Sequence, residues 1–472
     1  MLFNSWTFPL FFIFVWCLYI SLKHKYQNIL LLISSYIFYC WWDWRFLSLL
    51  LISTAVSFHC AKRIEKEDTN KTQYLLISLV LNLGILGFFK YFNFFARSTI
   101  RILSSLGFQA DLPTLNILLP IGISFYTFQA VAYTIDVYRG KEKATNDPVC
   151  FAVYVAYFPK LFAGPIERSS HFLPQIQTNR HVGNSDIYNG IKLVLMGYFK
   201  KVFVADGVAP MVDKCFASPE NYSGIALIFG AYLYALQIYG DFSGYTDIAR
   251  GISRLFGIEL SLNFKQPYLS SNITEFWRRW HISLSSWLRD YLYIPLGGNK
   301  KGSFRTYVNI LVTMLLGGLW HGAGWPFIFW GGLHGAYLSF HKLILRDRKV
   351  SFSNPPHSPK DVIKWLPDVV ITFNLVCLAW VFFRAESLSN ALSYLLQIVK
   401  MADGATMEVV VYLLFYGAWI LAIDLYCWYR NDELPFNESW HPAVSGLVYS
   451  IMIVLLFYIG ENHAPPFIYF QF

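Results

Sequence analysis

The sequence predicts an all-α integral membrane protein, and its charge content and charge distribution support this fold class. Only 14% of its 472 residues are charged, against about a quarter in soluble globular chains. Long stretches contain no Asp, Glu, Lys or Arg, and several reach the roughly 20 apolar residues that one membrane-spanning helix needs. They do not alternate strictly between polar and apolar residues, which favours bundled helices over a transmembrane β-barrel. These stretches are 1–22, 26–42, 46–61, 72–89, 112–135, 221–240, 306–340, 369–383, 409–423 and 439–460.

Basic loops in the first third of the chain predict its orientation. The first apolar run has no preceding Lys or Arg and no small-residue cleavage site, so we expect a span rather than a cleaved signal. If the basic loops are cytoplasmic, the N-terminus lies outside. The predicted helices then cross the membrane in alternating directions and place every basic loop on the cytoplasmic side. The loops lie around Lys23 and Lys25, at Lys62–Lys71 and at Arg139–Lys143. The helices that connect them are predicted near 5–22, 28–43, 46–61, 74–95 and 114–135.

The rest of the chain is less regular. The segment 263–305 mixes aromatic with charged residues, which is typical of an interface or a protein-lined cavity, and predicts short, partly re-entrant helices. The stretch 306–340 is long enough for two linked passes, and the proline-containing segment 345–365 is predicted as a loop. Further helices are expected at 185–210, which is amphipathic, and near 222–243, 366–384, 408–428 and 442–460. We therefore expect about eleven helices in one polytopic domain, 1–472.

His321 is the first candidate for chemistry. It lies in LLGGLWHGAGW, inside the longest charge-free stretch. An ionisable side chain at membrane depth is costly to keep and indicates function, whereas the alternative is a neutral imidazole that hydrogen-bonds between two helices. Nearby glycines allow close approach by a ligand or by another helix; they are Gly317, Gly318, Gly322 and Gly324.

His281 is the second candidate. It lies in FWRRWHISLSSWLRD, where helical spacing would place Trp277, His281 and Ser285 on one face. His334, in WGGLHGAY, has a setting similar to that of His321, but we interpret it as a packing residue. Because a neutral imidazole can accept a hydroxyl proton near pH 7, the pair His321 and His281 suits acyl transfer.

The sequence gives less support to metal-dependent catalysis and to a serine nucleophile. There is no HExxH motif and no carboxylate at ligand spacing near either histidine, so no metal site is predicted. There is also no GxSxG motif for a serine nucleophile. Arg278, Arg279 and Lys265 could bind an anionic ligand such as the phosphates of a nucleotide-like carrier, or could anchor the chain at the membrane surface. Asp241 and Asp247 either cap a following helix or face a polar cavity.

The net charge of +9 does not indicate a nucleic-acid partner, because membrane proteins collect Lys and Arg beside their spans. From the residues alone, an enzyme and a transporter both remain open, as does a subunit for acyl or glycan export without catalysis. A transporter would need broken helices in two symmetric halves, and the sequence has no two-fold hydropathy repeat.

Several motifs, spread nearly end to end along the chain, carry a resemblance to a known family. They are DFSGYTDIARG (241–251), NFKQPYLSSNITEFWRRWHISLSSWLRDYLYIPLGGNK (263–300), LLGGLWHGAGWPFIFWGGLHG (315–335), FPKLFAGPIER and the terminal PFIYFQF. These motifs resemble the membrane-bound O-acyltransferase (MBOAT) family, and in particular its bacterial polysaccharide O-acetyltransferase membrane subunits, of the alginate and peptidoglycan type.

This resemblance implies an MBOAT fold of about eleven transmembrane helices, with short re-entrant or interfacial helices around a central funnel. It implies that His321 is catalytic and that His281 is the second histidine of the site. It further implies cytosolic acetyl-CoA as the acyl donor substrate, with no tightly bound cofactor and no metal. The acetyl group would cross the bacterial inner membrane, and a periplasmic partner of the SGNH type would complete its transfer to an exported polysaccharide.

Overall fold

The computed structural model describes residues 1, 3–66, 69–108, 115, 117–345, 355, 358–401, 403–436, 440–459 and 467–468. Within these ranges the chain is built from helices, and its only β-type pairing is a single bridge between Tyr222 and Ala405. The predicted all-α class is therefore confirmed.

Twenty α-helices lie in the described part of the chain. They are α1 (Thr7–Ser21), α2 (His24–Asp43), α3 (Leu47–Lys66), α4 (Lys71–Leu86), α5 (Phe92–Ser105), α6 (Ile123–Tyr138), α7 (Pro148–Ala156), α8 (Phe158–Leu161), α9 (Ser169–Gln177), α10 (Asn184–Tyr198), α11 (Asp206–Ala217), α12 (Gly224–Leu255), α13 (Ile273–Arg279), α14 (Ile282–Leu288), α15 (Gly302–His321), α16 (Trp325–Leu345), α17 (Pro359–Arg384), α18 (Leu388–Val399), α19 (Met407–Arg430) and α20 (Pro442–Ile459). Wider π-helical turns follow α4, α10 and α14 without a break.

Five helical segments in the described ranges are long and apolar enough to cross a membrane, judged by length and composition. Together with the low charge content, they make this a multi-pass membrane protein. The count of about eleven spans, the central funnel and the orientation of the loops stay predictions. The five segments are His24–Lys66, Lys71–Ser105, Gly224–Leu255, Pro359–Arg384 and Met407–Arg430.

Two predicted helix starts are wrong, and local chemistry explains both. The helix expected over 114–135 begins only at Ile123, because Pro120 disfavours helical backbone before it and Gly122 caps the helix with a positive φ of 78°. The loop expected over 345–365 gives way to α17 at Pro359. There Ser358 accepts a hydrogen bond from the Asp361 amide, and proline occupies the first helical position. Residues 346–354, 356 and 357 of that loop lie outside the described residues.

Other predicted helices are too short or were missed. The helix near 74–95 continues through a π-helical turn to Ser105, and the helix near 222–243 continues to Leu255. The short helices between Pro148 and Gln177, and α18, were not predicted. By contrast, 263–305 forms short helices and 306–340 forms two linked helices, as expected.

The helices group into two compact units, each with its own packing. The first comprises Met1–Ile191 with Ala249–Ser261, and the second comprises Lys192–Ile248 with Leu262–Phe472. In the first unit α3 packs against α4 and α6; in the second, α15 packs against α16, which also contacts α13 and α17. The single domain over 1–472 stays a prediction.

Glycines set the closest approach in the second unit, between α15 and α16. A Cβ atom on Gly318 would lie 2.1 Å from the carbonyl oxygen of Phe327, and one on Gly331 would lie 2.2 Å from that of Met314. Both distances are far inside van der Waals contact, so only glycine allows the backbones to approach this closely. Helix α15 ends at His321, the first candidate for chemistry.

We expect Gly331→Ala to destabilise the protein by about 1–3 kcal/mol or more, because the added methyl group must push two helical backbones apart. Gly332→Ala is the matched control, since its Cβ would meet only the Leu315 side chain at an ordinary 3.5 Å. Thermal unfolding in detergent would compare the two variants. Equal melting temperatures for both would contradict the assigned close contact.

Candidate active site

The chain breaks its helix at the second candidate histidine. Helix α13 ends at Arg279, Trp280 is extended, and His281 has a left-handed backbone with φ 42° and ψ 54°. The prediction that Trp277, His281 and Ser285 share one helical face is therefore wrong. The freed backbone groups pair elsewhere, because Asn263 accepts from the Ile282 amide at 2.9 Å and Arg279 accepts from the Lys265 amide at 3.0 Å.

The hydrogen bonds of His281 define which of its nitrogens carries the proton. The ring is fully buried, and its Nδ1 lies 3.1 Å from Asn263 Oδ1. This oxygen also accepts from the amide and the hydroxyl of Ser283, at 3.2 and 2.9 Å. Since an amide oxygen is only an acceptor, Nδ1 donates, and in the neutral ring Nε2 keeps its lone pair. That Nε2 is buried and has no hydrogen-bond partner among the described residues.

His321 lies beside His281, as the last residue of α15. Helix α15 ends there because Gly322 turns to an extended backbone. The His321 side chain is buried, with 3% of the residue exposed, and its ring centroid is 6.3 Å from that of His281. The fold thus brings together the two predicted catalytic residues, which are 40 positions apart in the sequence.

Aromatic rings enclose both histidines. Trp320 contacts both imidazoles, with centroid separations of 5.0 Å to His321 and 5.9 Å to His281. Trp330 and Phe383 cover His321 at 5.0 and 5.4 Å. Such apolar walls exclude water, and electrostatic interactions and hydrogen bonds are stronger in the lower local dielectric. A hydrogen bond between either imidazole and a bound group would therefore be little weakened by competing water.

The three predicted anion-binding residues have different surroundings. Arg279 is buried and pairs with the buried carboxylate of Glu275 at 2.8 Å, and it also donates to the Lys265 carbonyl at 3.2 Å. Lys265 is half-buried and donates to the Asn431 side chain at 3.1 Å. Arg278 is exposed. Of the three side chains, only Arg279 is buried, and the prediction that they bind an anionic ligand stays a prediction.

The acidic residues of YGDFSGYTDIARG do not cap a helix. Asp241 and Asp247 both lie inside α12, where they pair with lysines of the preceding π-helical turn. Lys201 lies 2.7 Å from Asp241, and Lys200 lies 2.8 Å from Asp247. The capping alternative is therefore wrong. Both carboxylates are buried in ion pairs, and the alternative that they face a polar cavity stays a prediction.

Sequence reasoning missed Asn263 and the enclosing tryptophans. Asn263 begins the segment NFKQ, 18 residues before His281, and nothing in local periodicity links the two. The sequence does contain a signal that could have pointed to Trp330, because this residue lies in the same charge-free stretch as His321. Its role becomes visible only when α16 folds back on α15.

Comparison with known proteins supports the same chemistry. The family model described as MBOAT, membrane-bound O-acyltransferase family, matches residues 147–383, a region that contains both histidines. The chain belongs to the membrane-bound O-acyltransferase family. It is thus an acyltransferase, and the residues that carried the resemblance identified the family correctly.

The names of three similar curated proteins refer to alginate, peptidoglycan and teichoic acid. The probable alginate O-acetylase AlgI of Pseudomonas aeruginosa is 44% identical over 395 residues, covering 83% of this chain and 73% of the relative. The peptidoglycan O-acetyltransferase of Helicobacter pylori is 39% identical over 399 residues, covering 78% and 73%. The teichoic acid D-alanyltransferase of Streptococcus thermophilus is 31% identical over 299 residues, covering 57% and 70%.

Proposed function

We propose that this MBOAT protein transfers an acetyl group from cytosolic acetyl-CoA across the bacterial inner membrane for O-acetylation of an exported polysaccharide. A periplasmic partner of the SGNH type completes the transfer. The observation that carries the proposal is the buried pair of His321 and His281, whose ring centroids are 6.3 Å apart inside an aromatic enclosure. The relatives named as alginate and peptidoglycan acetylases support acetyl as the transferred group.

His321 acts as the general base in this proposal. It takes the proton of the acceptor hydroxyl while the oxygen attacks the thioester carbonyl carbon, forming the new C–O bond. The C–S bond then breaks, and the proton passes to the sulfur, which leaves as the CoA thiol. His281 offers its Nε2 lone pair as a second proton acceptor within the same enclosure. Because a hydroxyl carries a single proton, it donates to one of these two nitrogens at a time, and the other nitrogen can receive the proton in turn.

Arg278 and Lys265 bind the phosphates of the donor in this proposal. An exposed guanidinium suits bidentate phosphate recognition, and a lysine adds a point charge beside it. Arg279, the third residue predicted for this site, holds the Lys265 carbonyl from its buried pair with Glu275. We therefore assign Arg279 to positioning this segment rather than to binding phosphate directly.

Variants of the two neighbouring arginines should separate these roles. Arg278→Gln is expected to raise KM for acetyl-CoA by about tenfold, the loss of one charge-assisted hydrogen bond, with little change in melting temperature. Arg279→Gln is expected to lower stability by about 3–5 kcal/mol, because it leaves Glu275 buried without its ion-pair partner. Steady-state kinetics and thermal unfolding of both proteins would measure this. A raised KM in neither variant would remove the arginines from the donor site.

Sealed membrane vesicles of defined orientation test the proposed function directly. Inverted vesicles expose the cytoplasmic face, so labelled acetyl-CoA added outside should be consumed and should acetylate oligoalginate or peptidoglycan fragments trapped inside with the SGNH-type partner. Right-side-out vesicles treated in the same way should show neither CoA release nor label on the glycan. Absence of turnover in inverted vesicles with both glycans would overturn the acetyl-CoA donor and favour a subunit without catalysis.

A further inference from the structure

A third buried histidine lies next to the site and is not used by the mechanism above. His334 is on α16, one helical turn after Trp330, and is fully buried. Its ring centroid is 4.8 Å from that of Trp330 and 5.1 Å from that of Trp277. Because Trp330 also contacts His321 at 5.0 Å, one indole ring separates His334 from the proposed base.

A single hydrogen bond defines the proton position on His334. The indole N–H of Trp277 donates to His334 Nδ1 at 3.3 Å. An indole nitrogen is a donor only, so Nδ1 must be the unprotonated nitrogen. The neutral ring therefore carries its proton on Nε2. His281 has the opposite arrangement, with its proton on Nδ1 and its lone pair on Nε2.

The resulting Nε2–H group of His334 has no acceptor among the described residues, although it is buried. The hydroxyl of Tyr337, one turn further along α16, is also buried without a partner in the described ranges. Leaving a buried donor unsatisfied is costly, and native interiors seldom keep such groups without a reason. These two adjacent groups lie one indole ring from His321, where a substrate bound at the proposed site would supply the missing acceptor.

We infer that His334 Nε2–H donates a hydrogen bond to a carbonyl oxygen of the bound acyl donor, and that Trp277 is the positioning residue that keeps this nitrogen protonated. The inference rests on the proposed function, in which the donor is an acyl thioester of CoA. Such a donor carries two kinds of carbonyl, that of the thioester and those of the amides in the pantetheine arm. Both kinds of carbonyl accept a hydrogen bond in the same way. Loss of the hydrogen bond changes the kinetics differently for the thioester carbonyl and for an amide carbonyl.

Kinetics of His334 variants distinguish the two carbonyls. His334→Phe keeps a ring of similar size and removes the donor, whereas His334→Gln keeps an N–H at about the position of Nε2. A donor to the thioester oxygen, where negative charge develops, lowers kcat on the order of 10²-fold when lost, with KM little changed. A donor to a pantetheine amide raises KM instead. In either case His334→Gln should recover part of the loss.

His341→Phe is the matched control on the same helix, because the Nδ1 of His341 is already satisfied by the Thr274 hydroxyl at 2.8 Å. It should leave kcat and KM close to those of the wild type. All variants would be assayed as full-length protein in nanodiscs with labelled acetyl-CoA, and their melting temperatures recorded. A His334→Phe protein with wild-type kcat and KM would overturn the inference and leave the proposed function intact.

A purely structural role would give a different pattern, and that pattern would also overturn the inference. His334→Phe and His334→Gln would then both lower the melting temperature, and the glutamine would not restore turnover. An inactive wild-type protein would overturn the proposed donor, and the assignment of His334 to that donor would fall with it. The wild-type control therefore separates failure of the proposed function from failure of the inference.

Discussion

The variant His321→Ala should lower acyl transfer by about 10²–10⁴-fold, the contribution that a positioned general base typically makes. The reason is the place of the residue at the end of α15, where its buried ring meets the ring of His281. In an aromatic enclosure, water cannot easily replace the lost base. The measurement is release of CoA thiol by purified protein, compared at equal amounts of folded enzyme.

Loss of folding could imitate this result, so a second substitution is needed. The His321 ring packs against Trp320, Trp330 and Phe383, and truncation to alanine leaves a cavity that destabilises the protein. His321→Gln fills more of that space but cannot act as a base near neutral pH, so it should lose activity to a similar degree. His59→Ala, at an exposed position on α3, is the control and should remain active. Near-wild-type turnover by a well-folded His321→Gln protein would refute the assignment of His321 as base.

The sequence singles out the two histidines that the fold brings together, whereas their arrangement could not be predicted. His321 stands out because it is ionisable inside the longest charge-free stretch, and His281 because it lies among aromatic and basic residues. Periodicity, however, continues across Trp280 and His281, so it predicts one unbroken helix there. The break depends on backbone bonds from Asn263 and Lys265, which periodicity does not encode.

For the fold as well, features set by nearby residues could be predicted, whereas features set by residues far away in the sequence could not. Helices with apolar faces, such as α2 and α3, could be predicted to within a few residues because membrane length and composition restrict them. The extension of α12 beyond its apolar stretch could not be predicted in this way. It keeps Asp241 and Asp247 in a helix by pairing them with lysines far away in the sequence. The start of α17 was predictable in principle from its Ser-Pro capping signal.

The second large effect is expected for His281→Gln, which removes the Nε2 lone pair while keeping a side chain that can hydrogen-bond to Asn263. We expect turnover to fall by about 10²–10⁴-fold, as for other residues that accept a proton in the transition state. The informative protein is the double variant His281→Gln with His321→Gln. Residues that act as one catalytic unit lose activity in a strongly non-additive way.

If both histidines act on the same proton, the double variant should be about as impaired as the more impaired single variant. If His281 only supports the fold, its single variant should lower the melting temperature and its effect on turnover should multiply with that of His321.

The variant Asn263→Ala tests whether the position of the proton on His281 matters. Without the acceptor at Nδ1, the proton of His281 can move to Nε2, so this variant should lose turnover even though both histidines remain. Wild-type turnover in a folded Asn263→Ala protein would show that the tautomer of His281 does not matter for the reaction, leaving His321 as the sole base.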